Sequence, residues 1–509
     1  MTRRLMMPAL IAFGLAAGLV AASASAFAPV GASARQAPKK TTAAKKATKA
    51  PSPAGKLDRS KIPPPGKAPV LRVPTWTQST LTNGAALIVS EAHGLPLVSF
   101  TITFQGGANQ YERADRRGLA SLTAAMMTEG TTTRDGEALS NALQLLGTNV
   151  SANVGGERGS ISFQSTSANF EKTLAILADI LARPAFPAEA LERLRGQRLV
   201  ALSQSLAQPA AVAGLVYPRV LYGAQHPYGQ YATETSYKAI TREDVVAFHK
   251  TYFQPARALV TVVGDVNAVT VKAKIDKALA EWARGGEKPS FSYPALPARR
   301  ATTIFLVDKP GAAQSTFAIG NPGPPRLTAD YYALAVMNTI LGGMFQSRLN
   351  ANIREDKGYS YGVTSSFAYG KGPGAFRGGG NMVSAKSDAA LVEFMKELRG
   401  IQGSRPVTDE ELQTAKDALT QRLPGTFASV GAISTAITGL WADELPVNYY
   451  QQYASKIAAV TNADVVRVAK QYIDLDHLAI VIVGDRATIE GPLKATGIAP
   501  IVVTEAESK

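Results

Sequence analysis

Two stretches of this chain read alike at a fixed distance, and that repeat limits the fold more than any other feature. Ile240-Thr-Arg-Glu-Asp-Val-Val-Ala-Phe-His-Lys-Thr-Tyr252 leads into Ala258-Leu-Val-Thr-Val-Val-Gly-Asp265. Val460-Thr-Asn-Ala-Asp-Val-Val-Arg-Val-Ala-Lys-Gln-Tyr472 leads into Leu478-Ala-Ile-Val-Ile-Val-Gly-Asp485. The offset is 220 throughout, pairing Asp244 with Asp464, Tyr252 with Tyr472 and Asp265 with Asp485. Each copy predicts a capped helix followed by a buried strand that ends in Gly-Asp. A weaker echo pairs Leu97–Phe104 with Ser315–Gly320. The expected organisation is therefore two similar α/β halves, 75–287 and 300–505, joined by a Pro-rich linker over 288–299.

The region ahead of the first half has a different character. Met1-Thr-Arg-Arg4 is basic, Leu5 to Ala22 is apolar, and Ala24-Ser-Ala26 has the small-x-small form of a cleavage site. Residues 1–26 thus predict a secretory signal peptide, with a retained anchor as the other reading. Residues 27–74, rich in Pro, Ala and Lys, predict a disordered or extended linker. Either it is a solvated spacer or its lysines touch an anionic envelope surface. Charge follows the same division. The chain carries a net +15, but residues 1–74 hold thirteen Lys and Arg against the single acid Asp58, and 75–509 hold 41 basic and 38 acidic residues. The basic excess belongs to the tail, so it gives no reason to expect nucleic acid. There are no cysteines, which excludes disulfides and thiolate chemistry. No stretch after the leader is long and apolar enough to span a bilayer. An exported protein of a bacterial periplasm is the expectation.

Within the first half, Ala85–Ser90 and Leu97–Phe104 predict strands. Glu137–Leu146 predicts a short amphipathic helix. Asn149–Val154 and Gly159–Ser165 predict a hairpin across Gly155-Gly156, and helices are expected over Phe170–Leu181 and Pro187–Gln208. In the second half, Gly374-Ala-Phe-Arg-Gly-Gly-Gly380 lacks the Lys and Ser/Thr of a phosphate cradle and reads as a flexible strand connection. The four histidines, His93, His226, His249 and His477, have no metal-pair spacing and are expected to be structural or exposed.

One stretch matters for what it lacks. Gln105-Gly-Gly-Ala-Asn-Gln-Tyr111 and the residues after it lead into Gly118-Leu-Ala-Ser-Leu-Thr-Ala-Ala-Met-Met127. This layout resembles the zinc-binding segment of the pitrilysin/insulinase metallopeptidases, in which a glycine-bearing loop opens a helix reading G-L-A-H-x-x-E-H-M. On that pattern the two histidines fall on Ser121 and Ala125, and the catalytic glutamate on Ala124. Imidazoles at i and i+4 share one helix face and can share one metal, and a carboxylate between them takes the proton from bound water. A hydroxyl and two methyl groups do neither. The family's third ligand is a glutamate farther along, yet no Asp or Glu occurs between Glu192 and Glu234. All parts of the metal site are missing together.

Two further segments extend the resemblance over nearly the whole mature chain. Tyr222-Gly-Ala-Gln-His-Pro-Tyr-Gly229 is similar to the family's Y-G-x-x-H-P-Y-G loop. Leu341-Gly-Gly-Met-Phe-Gln-Ser-Arg-Leu-Asn350 followed by Ile353-Arg-Glu-Asp-Lys-Gly-Tyr-Ser-Tyr361 is similar to L-G-G-x-x-S-R-L … L-R-E-x-x-G-L-x-Y. In active members an Arg and a Tyr seven residues on contact the bound peptide from the second half. Here they fall on Arg354 and Tyr361, which the resemblance makes substrate-binding residues; a surface ion pair and a packed phenol are the plain alternatives. The resemblance implies α+β layers as in the mitochondrial-processing-peptidase-like fold, each half a mostly antiparallel sheet packed with helices. It further implies a non-catalytic subunit that binds no metal itself, paired with a homologous chain carrying H-x-x-E-H and its zinc, and acting on peptides. An edge strand near Thr148–Val154 is the expected place for extended peptide. A scaffold without peptidase activity, and a peptidase using other ligands, are the competing readings.

Overall fold

The strands form because apolar and hydroxyl side chains alternate along them. In Leu97–Gln105, Val98, Phe100, Ile102 and Phe104 are fully buried on one face, while Ser99, Thr101 and Thr103 lie on the other. The computed structural model describes residues 71–505 apart from 283, 288, 289 and 291. The expected leader and nearly all of the linker before the fold lie outside the described residues.

The first half contributes β1 (Thr77–Thr80), β2 (Ala86–Glu91), β3 (Leu97–Gln105), β4 (Ser151–Val154), β5 (Arg158–Thr166) and β6 (Ala258–Gly264). Their order in the sheet is β1-β2-β6-β3-β5-β4, antiparallel except between β2 and β6. The second half contributes β7 (Thr303–Asp308), β8 (Gln314–Gly323), β9 (Ser360–Ala368), β10 (Gly374–Val383), β11 (Ala479–Gly484) and β12 (Ile501–Thr504). These run β12-β7-β11-β8-β10-β9, antiparallel from β11 to β9. Two mostly antiparallel six-stranded sheets packed with helices are the expected architecture.

Six helices bear on the site and on the joining of the halves: α1 (Leu119–Met126), α2 (Ala188–Leu206), α3 (Pro209–Tyr222), α4 (Arg242–Tyr252), α5 (Val430–Ala442) and α6 (Asn462–Tyr472). The sequence repeat is a repeat of capping chemistry. Thr241 accepts from the Asp244 amide and Asp244 returns the bond, and Thr461 and Asp464 do the same at α6. The strands after these helices, β6 and β11, are buried along their whole length.

Each sheet has one face on the core of its own half. Phe100, Phe163 and Phe170 pack there in the first half, and Phe317, Phe376 and Phe394 in the second. The other face is covered by a helix from the opposite half. α3 lays Val212, Val216, Tyr217 and Leu221 on Ala318, Val481 and Val483 of the second sheet. α5 lays Ile433 and Ile437 on Ile88, Leu259 and Val263 of the first. Full burial of each such aliphatic side chain contributes about 1.5–3 kcal/mol, so the halves are stabilised by exchange.

The glycine run 374–380 departs from expectation. It is not a flexible connection but part of strand β10, paired on both sides. The glycines are needed because neighbours press close. A Cβ on Gly378 would meet the Phe394 ring and one on Gly380 the carbonyl of Gly362.

Candidate functional site

The helix that would carry zinc in an active relative is intact as a helix. Its start, Gly118, has φ +100 and lies against the Tyr237 ring, which a Cβ would overlap. Glu112 caps it. One carboxylate oxygen accepts from the Ala120 amide at 2.6 Å, and the other from the Gly118 amide at 3.3 Å and from Arg117 at 3.4 Å. Arg117 is itself buried and donates to Gln230 and to the Ala108 carbonyl. Burial pushes the Glu112 carboxyl up, while the two amides and Arg117 pull it back; the same burial lowers Arg117.

The three motif positions are filled by packing. The Ser121 hydroxyl donates back to the Gly118 carbonyl at 3.1 Å. Ala124 is 1% exposed, and the half-buried Ala125 packs on the core of the first half. α1 lies against α2, the helix on which a downstream ligand would be sought. There Arg195 donates to the carbonyls of Tyr237 and Ile240. The charge of Arg198 acts on the Tyr237 phenol. A hydroxyl and two methyls do not fit a zinc ion, which requires deprotonated or neutral donors such as imidazole and carboxylate. Among the described residues no three His, Asp or Glu side chains converge to hold a metal.

The histidines hold other posts. His93 bridges Glu91 and Asp265 at the surface. His226 is buried, stacked on Tyr222 and Tyr293. His249 bonds the Leu181 carbonyl, and His477 pairs with Asp474.

α1 also packs on β4, the last strand of the first sheet. Among the described residues no hydrogen bond reaches the outer edge of β4. Beside it, the face of β3 and β5 not covered by α5 forms a groove of about 460 Å³. It is lined by the hydroxyls of Thr101, Thr103, Ser160, Ser162, Ser434 and Thr438, with Asn153 from β4. The Thr103 hydroxyl is buried without a partner, as is that of Thr438. The accessible hydroxyls of the groove can donate to or accept from a ligand.

The second sheet ends differently. The outer edge of β9 is closed by two asparagines. Asn350 accepts from the Val363 amide at 3.2 Å, and Asn338 donates to the Ser365 carbonyl at 3.1 Å. Gly342 sits directly on the Ser365 amide. Such cover prevents strand addition. None of these contacts has a local sequence signal.

Arg354 and Tyr361 flank this closed edge. Tyr361, at the start of β9, is 85% exposed. The Arg354 guanidinium lies 4.5 Å from the centre of the Phe345 ring and pairs with Glu355 at 3.2 Å. Among the described residues no hydrogen bond or ring contact joins Arg354 to Tyr361; Asn350 links their surroundings, since it also donates to the Phe345 carbonyl at 2.8 Å. Phe345, which the sequence pattern passes over, is thus the residue that holds Arg354.

Two six-stranded halves with exchanged helices, and a helix beside the open edge that has lost its ligands, define a peptidase-like chain without its metal centre. Residues 87–216 match the insulinase (peptidase family M16) model, and residues 239–419 the peptidase M16 inactive domain model. The chain belongs to this family, as a degenerate and inactive M16-like member. It is 23% identical over 405 residues to the non-peptidase homolog YmxG of Helicobacter pylori, covering 79% of this chain and 92% of that one. It is 25% identical over 325 residues to the zinc protease PqqE of the same organism, covering 61% and 70%. The crystal structure of a peptidase M16 inactive domain from Pseudomonas fluorescens superposes with a TM-score of 0.74 at 26% identity, covering 81% of this chain and 98% of the other.

Proposed function

We infer that this chain is the non-catalytic, substrate-binding subunit of a heteromeric zinc metallopeptidase that acts on peptides in the cell envelope. The observation that carries the reading is the asymmetry of the two sheet edges. β4 is open beside the hydroxyl groove, whereas β9 is closed by Asn338 and Asn350. An extended peptide pairs with an open edge through its backbone and leaves alternate side chains to the groove. Such a peptide meets no metal on this chain, so hydrolysis falls to a homologous partner with H-x-x-E-H, whose zinc supplies the activated water. A non-peptidase homolog and a zinc protease similar to this chain both occur in Helicobacter pylori, which is the combination this role needs.

Arg354 and Tyr361 have the chemistry of a clamp. A guanidinium and a phenol donate to a peptide carbonyl, and to the oxyanion that develops from it. In the resting chain Arg354 is held on Phe345, and leaves it when a carbonyl offers a better partner. The test is turnover by the mixed complex. Arg354→Ala lowers kcat about tenfold or more without preventing assembly; unchanged turnover removes the clamp role.

A further inference from the structure

A second cavity, of about 260 Å³, opens where the hydroxyl groove ends. Its walls come from both halves and carry five charges: Glu157, Arg158, Arg326, Lys371 and Asp443. Arg158 and Asp443 line both spaces, so the two adjoin. Arg326, Lys371 and Asp443 are paired with opposite charges, and Glu157 is held by neutral donors. Glu157 accepts from the Tyr293 hydroxyl at 3.0 Å and from the Asn109 amide at 3.2 Å. Arg326 faces Asp443 at 3.6 Å, donates to the Tyr449 hydroxyl and covers the Tyr331 ring. Lys371 pairs with Glu444 at 2.7 Å. Arg158 is exposed at the junction and makes no ion pair or side-chain hydrogen bond among the described residues.

We propose that this junction receives the free C-terminal carboxylate of a bound peptide, with Arg158 as its ligand. This deepens the peptide-binding reading above and rests on it. The guanidinium without a partner selects the ligand. One unanswered guanidinium suits a monoanion, and its planar fork matches a carboxylate in two parallel bonds. A phosphate dianion would lie beside the carboxylates of Glu157 and Asp443, which repel a second negative charge. A peptide amine is disfavoured, because Asp443 is already engaged by Arg326 and Glu157 by its hydroxyl and amide donors. The groove leading to the site offers hydroxyls to alternate side chains of the peptide, while its backbone pairs with β4. Leu327 and Pro325 give the cavity an apolar wall for the last side chain. Hairpin β4–β5 ends at Arg158, so a chain along β4 with its carboxylate there runs parallel to β4. The chain would then present peptides by their ends, and favour short products over internal segments of folded proteins.

The experiment uses a synthetic library of random acetylated peptides, made once as free acids and once as C-terminal amides. Both are captured on the immobilised full chain and read by mass spectrometry. The expected result is enrichment of the acids over the amides by about tenfold or more, lost in Arg158→Gln and largely kept in Arg158→Lys. Equal enrichment of acids and amides overturns the carboxylate site and leaves peptide binding standing. Enrichment of neither overturns both.

Discussion

The hydroxyl of Tyr217 donates to the carbonyl oxygen of Phe376 at 2.6 Å, across the boundary between the two halves. Tyr217 stands on α3 of the first half and is buried on the second sheet. The bond sits where the exchanged helix crosses strand β10. Tyr217→Phe keeps the ring and loses the bond, which costs about 1 kcal/mol. Tyr217→Ala also opens a cavity and costs about 3–5 kcal/mol. Urea unfolding followed by circular dichroism reads both. Equal stability of Tyr217→Phe and the parent would mean that the bond is replaced by water.

The emptied motif cannot be refilled by its three residues alone. Ser121→His, Ala124→Glu and Ala125→His together restore H-x-x-E-H in sequence. Position 124 is fully buried, so the new carboxylate meets apolar neighbours, and no Asp or Glu lies between Glu192 and Glu234 to complete the ligands. The triple variant is expected to lose about 2 kcal/mol or more and to bind less than stoichiometric zinc. Zinc content by mass spectrometry and a thermal melt decide it; tight stoichiometric zinc would reveal a third ligand elsewhere in the chain.

Opening the closed edge is a third test. Asn350→Ala leaves the Val363 amide and the Phe345 carbonyl without their partner. The expected loss is about 1–3 kcal/mol. Hydrogen exchange at Val363 accelerates selectively, and the variant gains a tendency to associate through β9. Unchanged exchange would mean that other cover protects the edge.

Acid sensitivity arises from His249. Burial holds its imidazole down to about 4, from an ordinary value of 6.5, against the Leu181 carbonyl that favours the charged form. Below pH 6.5 the unfolded chain takes up a proton that the folded chain refuses, so stability falls between pH 6.5 and about 4 and the slope then ends. The whole effect is at most about 3 kcal/mol. His226, also lowered by burial, acts in the same direction. His93 acts oppositely. Its bonds to Asp265 and Glu91 raise it, so its contribution is complete below 6.5 and is lost as pH rises through the folded value. His249→Gln is expected to flatten the acid limb of a stability–pH curve; an unaltered limb would assign it to other groups.

The sequence carried the duplication, because helix caps and buried strands repeat as residue types at a constant offset. It also carried the loss of zinc ligands, since those are identities at fixed spacing. The exchange of α3 was not visible. Pro209, Pro218 and a run of alanine and valine break the amphipathic pattern, and a helix buried between two halves has no polar face to reveal it. The strand at 374–380 has no clear signature in the sequence because glycine marks both loops and tight approaches, and only the neighbours distinguish them. The closure of β9 depends on Asn338 and Asn350, which have no local pattern and each meet β9 only in the fold.

The most direct measurement is peptidase activity of the purified chain, alone and mixed with a homologous chain that carries H-x-x-E-H, with the zinc content of each determined. The expected result is no zinc and no activity in this chain alone, and activity in the mixture above that of the partner by itself. Chelator-sensitive activity with bound zinc in this chain alone would contradict the reading of Ser121, Ala124 and Ala125, and a mixture no more active than the partner would contradict the subunit role.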